Sequence, residues 1–293
     1  MLILISLVFF WGGFVKGLSG IGLPSFSIAF LTMFMGIKIA IALVVMPGLL
    51  TNLWQVFGEI KISKIDEKWW QKYSANSKQF VDHTPWRYLL EKYILIDADG
   101  NHLFAYGDVS RQDRERLDVY IHNLSTFPLE TLNRKEQYAY WLNLYNALMV
   151  RLVLSEYLVL SINDIKFGLP PFTINGFNKK LIYIKGQVLS LNDIRLKILV
   201  PLFGDPRIHY GLCDAAIGSP NIQRKPFTGD WVDRMLDGAA LDFINHKKGL
   251  DINDKELILS RLFVRYQNQF GSNSSSQLSH IKYHLVSGAI NKI

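Results

Sequence analysis

Three side chains that could take part in chemistry follow one another closely in the second half of the chain. Arg207, His209 and Cys213 lie between Asp205 and Asp214, and apolar residues alternate with them. Such alternation predicts a strand and places the three side chains on one face. His209 and Cys213 are then about 13 Å apart along the strand, too far to form a Cys–His pair. His209 therefore needs a partner from another element, or it has a hydrogen-bonded structural role.

Polar residues on a predicted helix are candidate partners. Asn133 and Glu136 have the spacing of a capping box, which predicts that a long helix begins here. On a 3.6-residue period, Glu136 and Asn143 lie on one face with Asn146 beside it. Asparagines in so apolar a helix need hydrogen-bond partners if they are buried. They could orient a substrate or a catalytic side chain, or they could satisfy the backbone of a neighbouring loop.

The turn-rich loop that follows the predicted strand is a place where functional groups often lie. Ser219 in this loop is, with Asn146, a candidate ligand-binding residue. The candidate catalytic residues form a second group: His209, Glu136, Asn143 and Arg207. An enzyme needs these four side chains to converge, because about 10 Å exceeds even a relay through one water. If they do not converge, a domain that binds a ligand or partner without catalysis is expected.

The sequence predicts that a mostly helical α+β domain with short strands positions these residues. Two hairpins are predicted, at 93–104 and at 181–189, the second with Lys185-Gly186 at its bend. Thr228 is the predicted cap of a helix whose core face includes Trp231. The other predicted elements are a helix at 111–124, a helix at 136–152, a helix at 229–245, a strand at 256–260, a helix at 261–270 and a flexible linker at 271–276 before a terminal helix.

Composition separates the chain into two unlike pieces. The 293 residues include 32 basic and 25 acidic side chains, 49% hydrophobic residues and a single cysteine. Residues 1–58 contain only Lys16 and Lys38 as charged residues, so the remaining 235 residues carry a mild net charge of +5. A spread charge of this size does not predict nucleic-acid binding. One cysteine excludes an internal disulfide framework and multi-cysteine zinc or iron–sulfur sites.

Residues 1–58 predict membrane helices, one broken and one continuous. Uncharged runs at 1–15 and 17–37 meet at a Gly/Pro-rich junction, and residues 39–58 form another uncharged run of 20. About 20 predominantly apolar residues are needed to cross a bilayer. A cleavable signal peptide fits less well, because no basic region precedes the apolar run. A buried soluble hairpin of helices is the second alternative.

The first piece resembles a transporter family. Residues 1–58 resemble the amino-terminal end of the sulfite exporter TauE/SafE family, which consists of multi-span anion or organic-acid exporters. The matching strings are Gly13-Phe14-Val15-Lys16-Gly17-Leu18-Ser19-Gly20-Ile21-Gly22-Leu23-Pro24, Pro47-Gly48 and Asn52-Leu53-Trp54-Gln55. The resemblance ends at Glu59 and covers too few helices to enclose a substrate path, so export activity is not expected.

The second piece is similar to the domain-of-unknown-function 547 family from about residue 84 to 271. The matching strings are Asn133-Arg134-Lys135-Glu136-Gln137, Tyr140-Trp141-Leu142-Asn143-Leu144-Tyr145-Asn146-Ala147-Leu148, Ser190-Leu191-Asn192-Asp193-Ile194, Asp205-Pro206-Arg207-Ile208-His209-Tyr210, and Leu259-Ser260 with Phe263, Tyr266 and Phe270-Gly271. The family pattern continues with Cys-Ala-Ser and then Cys-Pro, where this chain has Asp214-Ala215-Ala216 and Ser219-Pro220. If the family uses a thiol pair or a metal there, this chain has lost it.

Four segments are therefore expected. They are a membrane segment at 1–58, a linker and basic juxtamembrane helix at 59–83, the globular domain at 84–271, and a linker with a terminal helix at 272–293. The favoured function is a membrane-anchored domain that binds a ligand or partner. The alternatives are a hydrolase or transferase, and a truncated transporter fused to an unrelated domain without transport activity.

The expected partners are the lipid bilayer and an unidentified small molecule or protein, with no cofactor, no metal and no nucleic acid. A bacterial inner membrane is the expected location. Lysines shortly after residue 58 favour a cytoplasmic start of the second piece, although a solvated helix face explains them equally well. The side of the membrane on which the domain lies is left open.

Overall fold

A computed structural model describes residues 31–32, 36–39, 41, 67–157, 161–168, 172–252, 256–271 and 273–286. The chain divides into two compact units, residues 1–65 and 66–293. In the first unit the described residues are helical at 31–32, 37–39 and 41. The candidate site residues all belong to the second unit.

Helices make up most of the second unit. Its α-helices are α1 (Glu67–Trp70), α2 (Thr84–Tyr93), α3 (Arg111–Thr126), α4 (Arg134–Ser155), α5 (Val200–Phe203), α6 (Ile208–Gly211), α7 (Val232–Ile244), α8 (Arg261–Arg265), α9 (Gln267–Phe270) and α10 (Ser274–Tyr283). Short 3-10 helices lie at Tyr106–Asp108, Leu129–Thr131 and Ile162–Asp164, and a π-helix at Asp193–Leu199 leads into α5.

The strands of the described part of the chain pair as four antiparallel hairpins. These are β1 (Ile94–Ile96) with β2 (His102–Phe104), β3 (Lys166–Phe167) with β4 (Ile174–Asn175), β5 (Ile182–Ile184) with β6 (Gln187–Leu189), and β7 (Leu250–Ile252) with β8 (Leu257–Leu259). The two predicted hairpins are confirmed. Lys185 and Gly186 both have positive φ, 47° and 86°, as a two-residue type I′ turn requires.

The prediction that the fold begins with one broken and one continuous membrane helix is wrong. In the part of the chain that the structure describes, no helix combines the length and apolar composition that a bilayer crossing requires. Helix α4 has 22 residues, but Gln137, Asn143, Asn146 and Arg151 interrupt its apolar stretch. Most of residues 1–58, on which the two predicted membrane helices fall, lie outside the described residues.

Helix α4 is the centre of the second unit. It is buried on all sides from Glu136 to Val150, and the neighbouring helices α3 and α7 and the π-helix pack against it. A helix that is buried all round is expected to be apolar all round, so its polar side chains need partners inside the protein. Asn133 caps its first turn by accepting a hydrogen bond from the Glu136 amide at 3.0 Å, which confirms the predicted start.

The predicted strand at 205–214 is wrong, because residues Ile208–Gly211 form the one-turn helix α6. Asp205 starts the turn: its carboxylate accepts the Arg207 amide at 2.9 Å and its carbonyl accepts the Ile208 amide at 3.2 Å. Residues 208–212 are all buried, including His209 between two apolar neighbours. The alternation of apolar and polar residues therefore does not separate a buried face from an exposed one.

Three boundaries also differ from the predictions. Helix α7 begins at Val232 rather than at 229, and the Trp231 side chain, predicted to face the core, is 53% exposed. The predicted helix at 261–270 is divided into α8 and α9 at Tyr266. The predicted linker at 271–276 contains the start of α10, because Asn273 and Ser276 form a reciprocal cap.

Candidate functional site

Asn146 of helix α4 holds the start of the loop that follows α6. Its side-chain Nδ2 donates to the Gly211 carbonyl at 2.9 Å, and its Oδ1 accepts the Cys213 amide at 2.9 Å. The amide group is buried and bridges two backbone groups that would otherwise lack partners. Asn146 thus fixes where the loop leaves α6.

Two further polar side chains of α4 hold the far end of the same chain segment. Asn143 donates to the Phe227 carbonyl at 2.8 Å and accepts the Phe227 amide at 2.9 Å. About two turns before it, Glu136 accepts the Gly229 amide at 2.9 Å. Burial raises the pKa of Glu136, and Asp230 adds to the effect. Asn143 and Glu136 thus form hydrogen bonds with the backbone of a neighbouring loop, one of the two roles that the sequence allowed for polar residues of this helix.

Arg207 is occupied by carboxylates. It contacts Asp205 at 2.7 Å, Asp233 at 3.2 Å and Asp237 at 2.8 Å, and the last two lie on α7. The guanidinium group therefore ties the start of α6 to α7. With these carboxylates around it, Arg207 has no charge left over for an anionic substrate.

His209 is fully buried, at 0% exposure, and its ring stacks on Tyr266 with centroids 4.0 Å apart. Neither ring nitrogen has a hydrogen-bond partner among the described residues. Burial lowers the pKa of His209 to about 3, and the positive charge of Arg195 contributes. The ring is therefore neutral near pH 7 and packs as an aromatic side chain.

The four candidate catalytic residues thus have separate partners. Glu136 and Asn143 bind different backbone groups, Arg207 binds acidic side chains, and His209 stacks on an aromatic ring. The described contacts bring none of the four into direct contact with another. The structure instead brings together the two candidate ligand-binding residues, Asn146 and Ser219, which line the same cavity.

A buried ion pair lies at the beginning of the loop after α6. Arg195 of the π-helix, 1% exposed, donates from its two terminal nitrogens to Asp214 at 3.1 and 2.5 Å. Tyr145 of α4 donates to the same carboxylate at 2.7 Å, and Arg195 also donates to the Tyr266 hydroxyl. A bidentate pair with these added hydrogen bonds fixes the position of Asp214.

We use the name loop pocket for the cavity lined by residues 213, 215–217 and 219–222 together with Asn101, β2, Tyr106, α4 and Lys248. Its volume is about 140 Å³. Apolar side chains form much of the wall: Leu103, Phe104, Met149, Val150, Ile217 and Ile222. A cavity of about 150 Å³ is large enough to hold benzene. The loop pocket therefore has room for a molecule of roughly that size.

Lys248 supplies the positive charge of the loop pocket. Its Nζ donates to the Asn101 side chain at 3.2 Å and to the Asn221 side chain at 2.5 Å, both through amide oxygens. No carboxylate of the described residues lies within ion-pair distance of this nitrogen. Burial lowers the pKa of Lys248, and the negative charges of Asp242 and Asp97 oppose this effect from beyond ion-pair distance.

Asn221 is saturated with hydrogen bonds and holds the loop in place. Besides Lys248, its Oδ1 accepts the His102 amide at 3.1 Å, and its Nδ2 donates to the Gly100 carbonyl at 3.0 Å and to Asp242 at 2.8 Å. These bonds join the loop to the β1–β2 turn and to α7. Asn221 thus fixes this part of the wall of the loop pocket.

Two side chains that could act as nucleophiles line the loop pocket, and neither is activated. Burial raises the pKa of the Cys213 thiol, so the thiol form predominates at neutral pH. The Ser219 hydroxyl donates to the Ala216 carbonyl at 2.7 Å. Because that proton is held by a carbonyl rather than by a base, Ser219 is placed to shape the loop.

The segment that carries most of these residues has a known sequence pattern. Residues 129–244 match the family described as "Protein of unknown function, DUF547". The resemblance inferred from the sequence is confirmed over this range. No curated protein matches, and no solved structure matches.

The DUF547 region includes Asn146, Cys213 and Ser219, whereas Tyr106 and Lys248 lie outside it. The loop pocket is therefore built jointly by the DUF547 region and by the segments that flank it. The wider extent proposed from the sequence, residues 84–271, stays a prediction. Nothing in the comparisons supports the resemblance of residues 1–58 to the TauE/SafE family.

Sequence reasoning missed four residues of this site: Arg195, Asp214, Tyr106 and Lys248. Arg195 gave no clear signal, because the run from Ile194 to Val200 holds a second basic residue, Lys197, whose side chain is half-exposed. Lys248 gave no signal, since it follows Lys247 in a polar stretch and only its position in the fold distinguishes the two.

Proposed function

We propose that the second unit binds a small ligand in the loop pocket and does not transform it. The observation that carries the proposal is the cavity of about 140 Å³ between a loop fixed by Asn146 and Asn221 and a wall of apolar side chains. Pockets of this kind, mostly apolar with a few placed polar groups, are typical of small-molecule sites.

The side chains at the loop pocket favour binding over catalysis. The Cys213 thiol has a raised pKa and the Ser219 hydroxyl is bonded to a carbonyl, so no nucleophile is prepared. His209, the candidate general base, does not line this cavity. A nucleophile without a base in hydrogen-bond reach is a poor catalyst.

Two alternatives from the sequence stay predictions. The first is a hydrolase or transferase that uses His209 with Glu136, Asn143 and Arg207, whose separate partners give it no geometric support. The second is a truncated transporter joined to an unrelated domain. The location of the protein and the identity of its partners also stay predictions.

Ligand-observed NMR tests the proposal by measuring whether benzyl alcohol and benzoate bind to the full-length chain. We expect saturation transfer from the wild-type protein to at least one of these probes, because a ring of six carbons fits a cavity of this volume. Cys213→Phe should abolish the transfer by filling the cavity. Cys213→Ser is the matched control, since it leaves the cavity open, and it should retain binding.

Circular dichroism establishes that both variants are folded. Failure of both probes to bind the wild-type protein would contradict the proposal. Equal binding by the wild-type and Cys213→Phe proteins would place the probe elsewhere, and would contradict it as well.

A further inference from the structure

Two polar residues that line the loop pocket, Lys248 and Tyr106, have hydrogen-bond donors that the described residues do not fully use. The Lys248 ammonium group donates hydrogen bonds to the side-chain oxygens of Asn101 and Asn221. These bonds use two of its three N–H groups. Tyr106 also lines the cavity, and its hydroxyl has no hydrogen-bond partner among the described residues. A ligand with acceptor oxygens would satisfy both groups.

The acceptors around Lys248 are neutral, and this matters for the charge of the ligand. Asn101 and Asn221 are both nearly fully buried, so the half-buried Lys248 has its ammonium group where protein replaces part of the surrounding water. Asp242 is reached only through Asn221, whose Nδ2 donates to it at 2.8 Å. An ammonium group held by amides and partly desolvated gains most from a negatively charged partner.

The apolar wall of the loop pocket determines which chemical groups the rest of the ligand can carry. The cavity that Lys248 lines is also lined by the apolar side chains of Phe104, Met149, Val150 and Ile222. A phosphate group, with up to two charges and three acceptor oxygens, would leave oxygens against these side chains without donors. A carboxylate carries one charge, which matches one ammonium group.

We infer, building on the proposed ligand-binding function, that the loop pocket takes a small monocarboxylate with an apolar body. Its carboxylate lies on the Lys248 ammonium group and the Tyr106 hydroxyl, and its apolar body lies against the wall formed by β2 and α4. The carboxyl head and a body of about six carbons match the volume of the cavity.

Dissociation constants of benzoate and its neutral analogue benzyl alcohol, measured by NMR titration of the full-length chain, test this inference. We expect benzoate to bind at least about tenfold more tightly than benzyl alcohol, because its hydrogen bond to Lys248 is charge-assisted. Lys248→Gln should remove that preference. Glutamine keeps an N–H donor for Asn221, so the variant removes the charge with little change to the wall.

Two variants serve as comparisons. Lys247→Gln removes the same charge from an exposed neighbouring residue and should leave benzoate affinity within about twofold of wild type, because exposed charges are screened. Tyr106→Phe should weaken benzoate by a smaller factor than Lys248→Gln. Benzyl alcohol should bind Lys248→Gln and wild type equally, which shows that the pocket is intact.

The outcomes separate the inference from the proposed function. If neither probe binds the wild-type protein, the loop pocket is not a ligand site and both are overturned. If benzyl alcohol binds as tightly as benzoate, or if Lys248→Gln keeps the preference for benzoate, the carboxylate inference is overturned and the ligand-binding function stands.

Discussion

Asp214 shows how one substitution in a family pattern can acquire a structural role. At this position, where the sequence resemblance implies a cysteine, the chain has a carboxylate that forms a bidentate pair with the buried Arg195. Ser219, at the second position where a cysteine is implied, bonds to the Ala216 carbonyl. Both side chains are engaged in holding the loop.

At the residue scale, we expect Asp214→Asn to be strongly destabilising. The substitution keeps the shape of the side chain but leaves the Arg195 charge buried without an anion, a change that costs about 3–5 kcal/mol. Urea unfolding followed by tryptophan fluorescence measures the free energy of unfolding. Asp118→Asn is the control, because Asp118 is exposed and lies 4.0 Å from Arg151, and an exposed pair contributes at most about 1 kcal/mol.

If Asp214→Asn and Asp118→Asn lowered the free energy of unfolding by similar amounts, the burial of Arg195 would not be the reason for the effect of Asp214→Asn. Arg195→Met with Asp214→Asn in one chain adds a second comparison. Since the double variant leaves no unpaired charge, we expect it to be more stable than Asp214→Asn alone.

At the element scale, α4 acts as the support of the 211–229 segment. Three polar side chains along the helix, Glu136, Asn143 and Asn146, each bind backbone groups of that segment. Because a loop that is buried against a helix cannot bond to water, such side chains replace the missing solvent. The helix therefore determines both the path of the loop and the shape of the loop pocket.

We predict that Asn143→Ala lowers the free energy of unfolding by about 2–4 kcal/mol, since it leaves the buried amide and carbonyl of Phe227 without partners. Urea unfolding is the measurement. Asn123→Ala on α3 is the matched control: this asparagine is exposed, and a surface substitution of this kind changes stability by no more than about 0.5 kcal/mol. Equal effects of the two substitutions would refute a clamping role for Asn143.

At the scale of the whole molecule, buried histidines make the second unit sensitive to acid. Burial lowers the pKa of His209 to about 3, and the pKa values of His83 and His280 to about 4. An unfolded histidine titrates near 6.5. Between pH 6.5 and about 4 the unfolded chain takes up protons that the folded chain does not, so the stability falls as the pH falls.

His209→Phe should reduce this dependence on pH. Phenylalanine keeps an aromatic ring against Tyr266 and removes one titrating group, so the slope of the unfolding free energy against pH should decrease by up to about 1.4 kcal/mol per pH unit. Urea unfolding at pH 4.5, 5.5 and 6.5 measures the slope. His122→Gln, at an exposed residue of α3, should leave the slope much closer to wild type. An unchanged slope in His209→Phe would contradict the burial of a neutral ring.

Local patterns predicted the elements whose determinants are local. The Lys185-Gly186 turn joins β5 and β6 as expected, and Asn133 begins α4, because a turn or a cap depends on the residues next to it. The segment at 205–214 was predicted wrongly. Its alternation of residue types has the period of a strand, yet the turn that begins at Asp205 and the burial of residues 208–212 favour a helical turn there.

By itself the sequence determined the family pattern at 129–244, the mostly helical character of the second unit and the places where most turns and helices begin. These follow from residue types a few positions apart. Only the tertiary structure decided that Asn146 and Ser219 share a cavity with Lys248, and that His209 lies away from it. Contacts between residues about 100 positions apart depend on how the elements pack, and no local pattern encodes that packing.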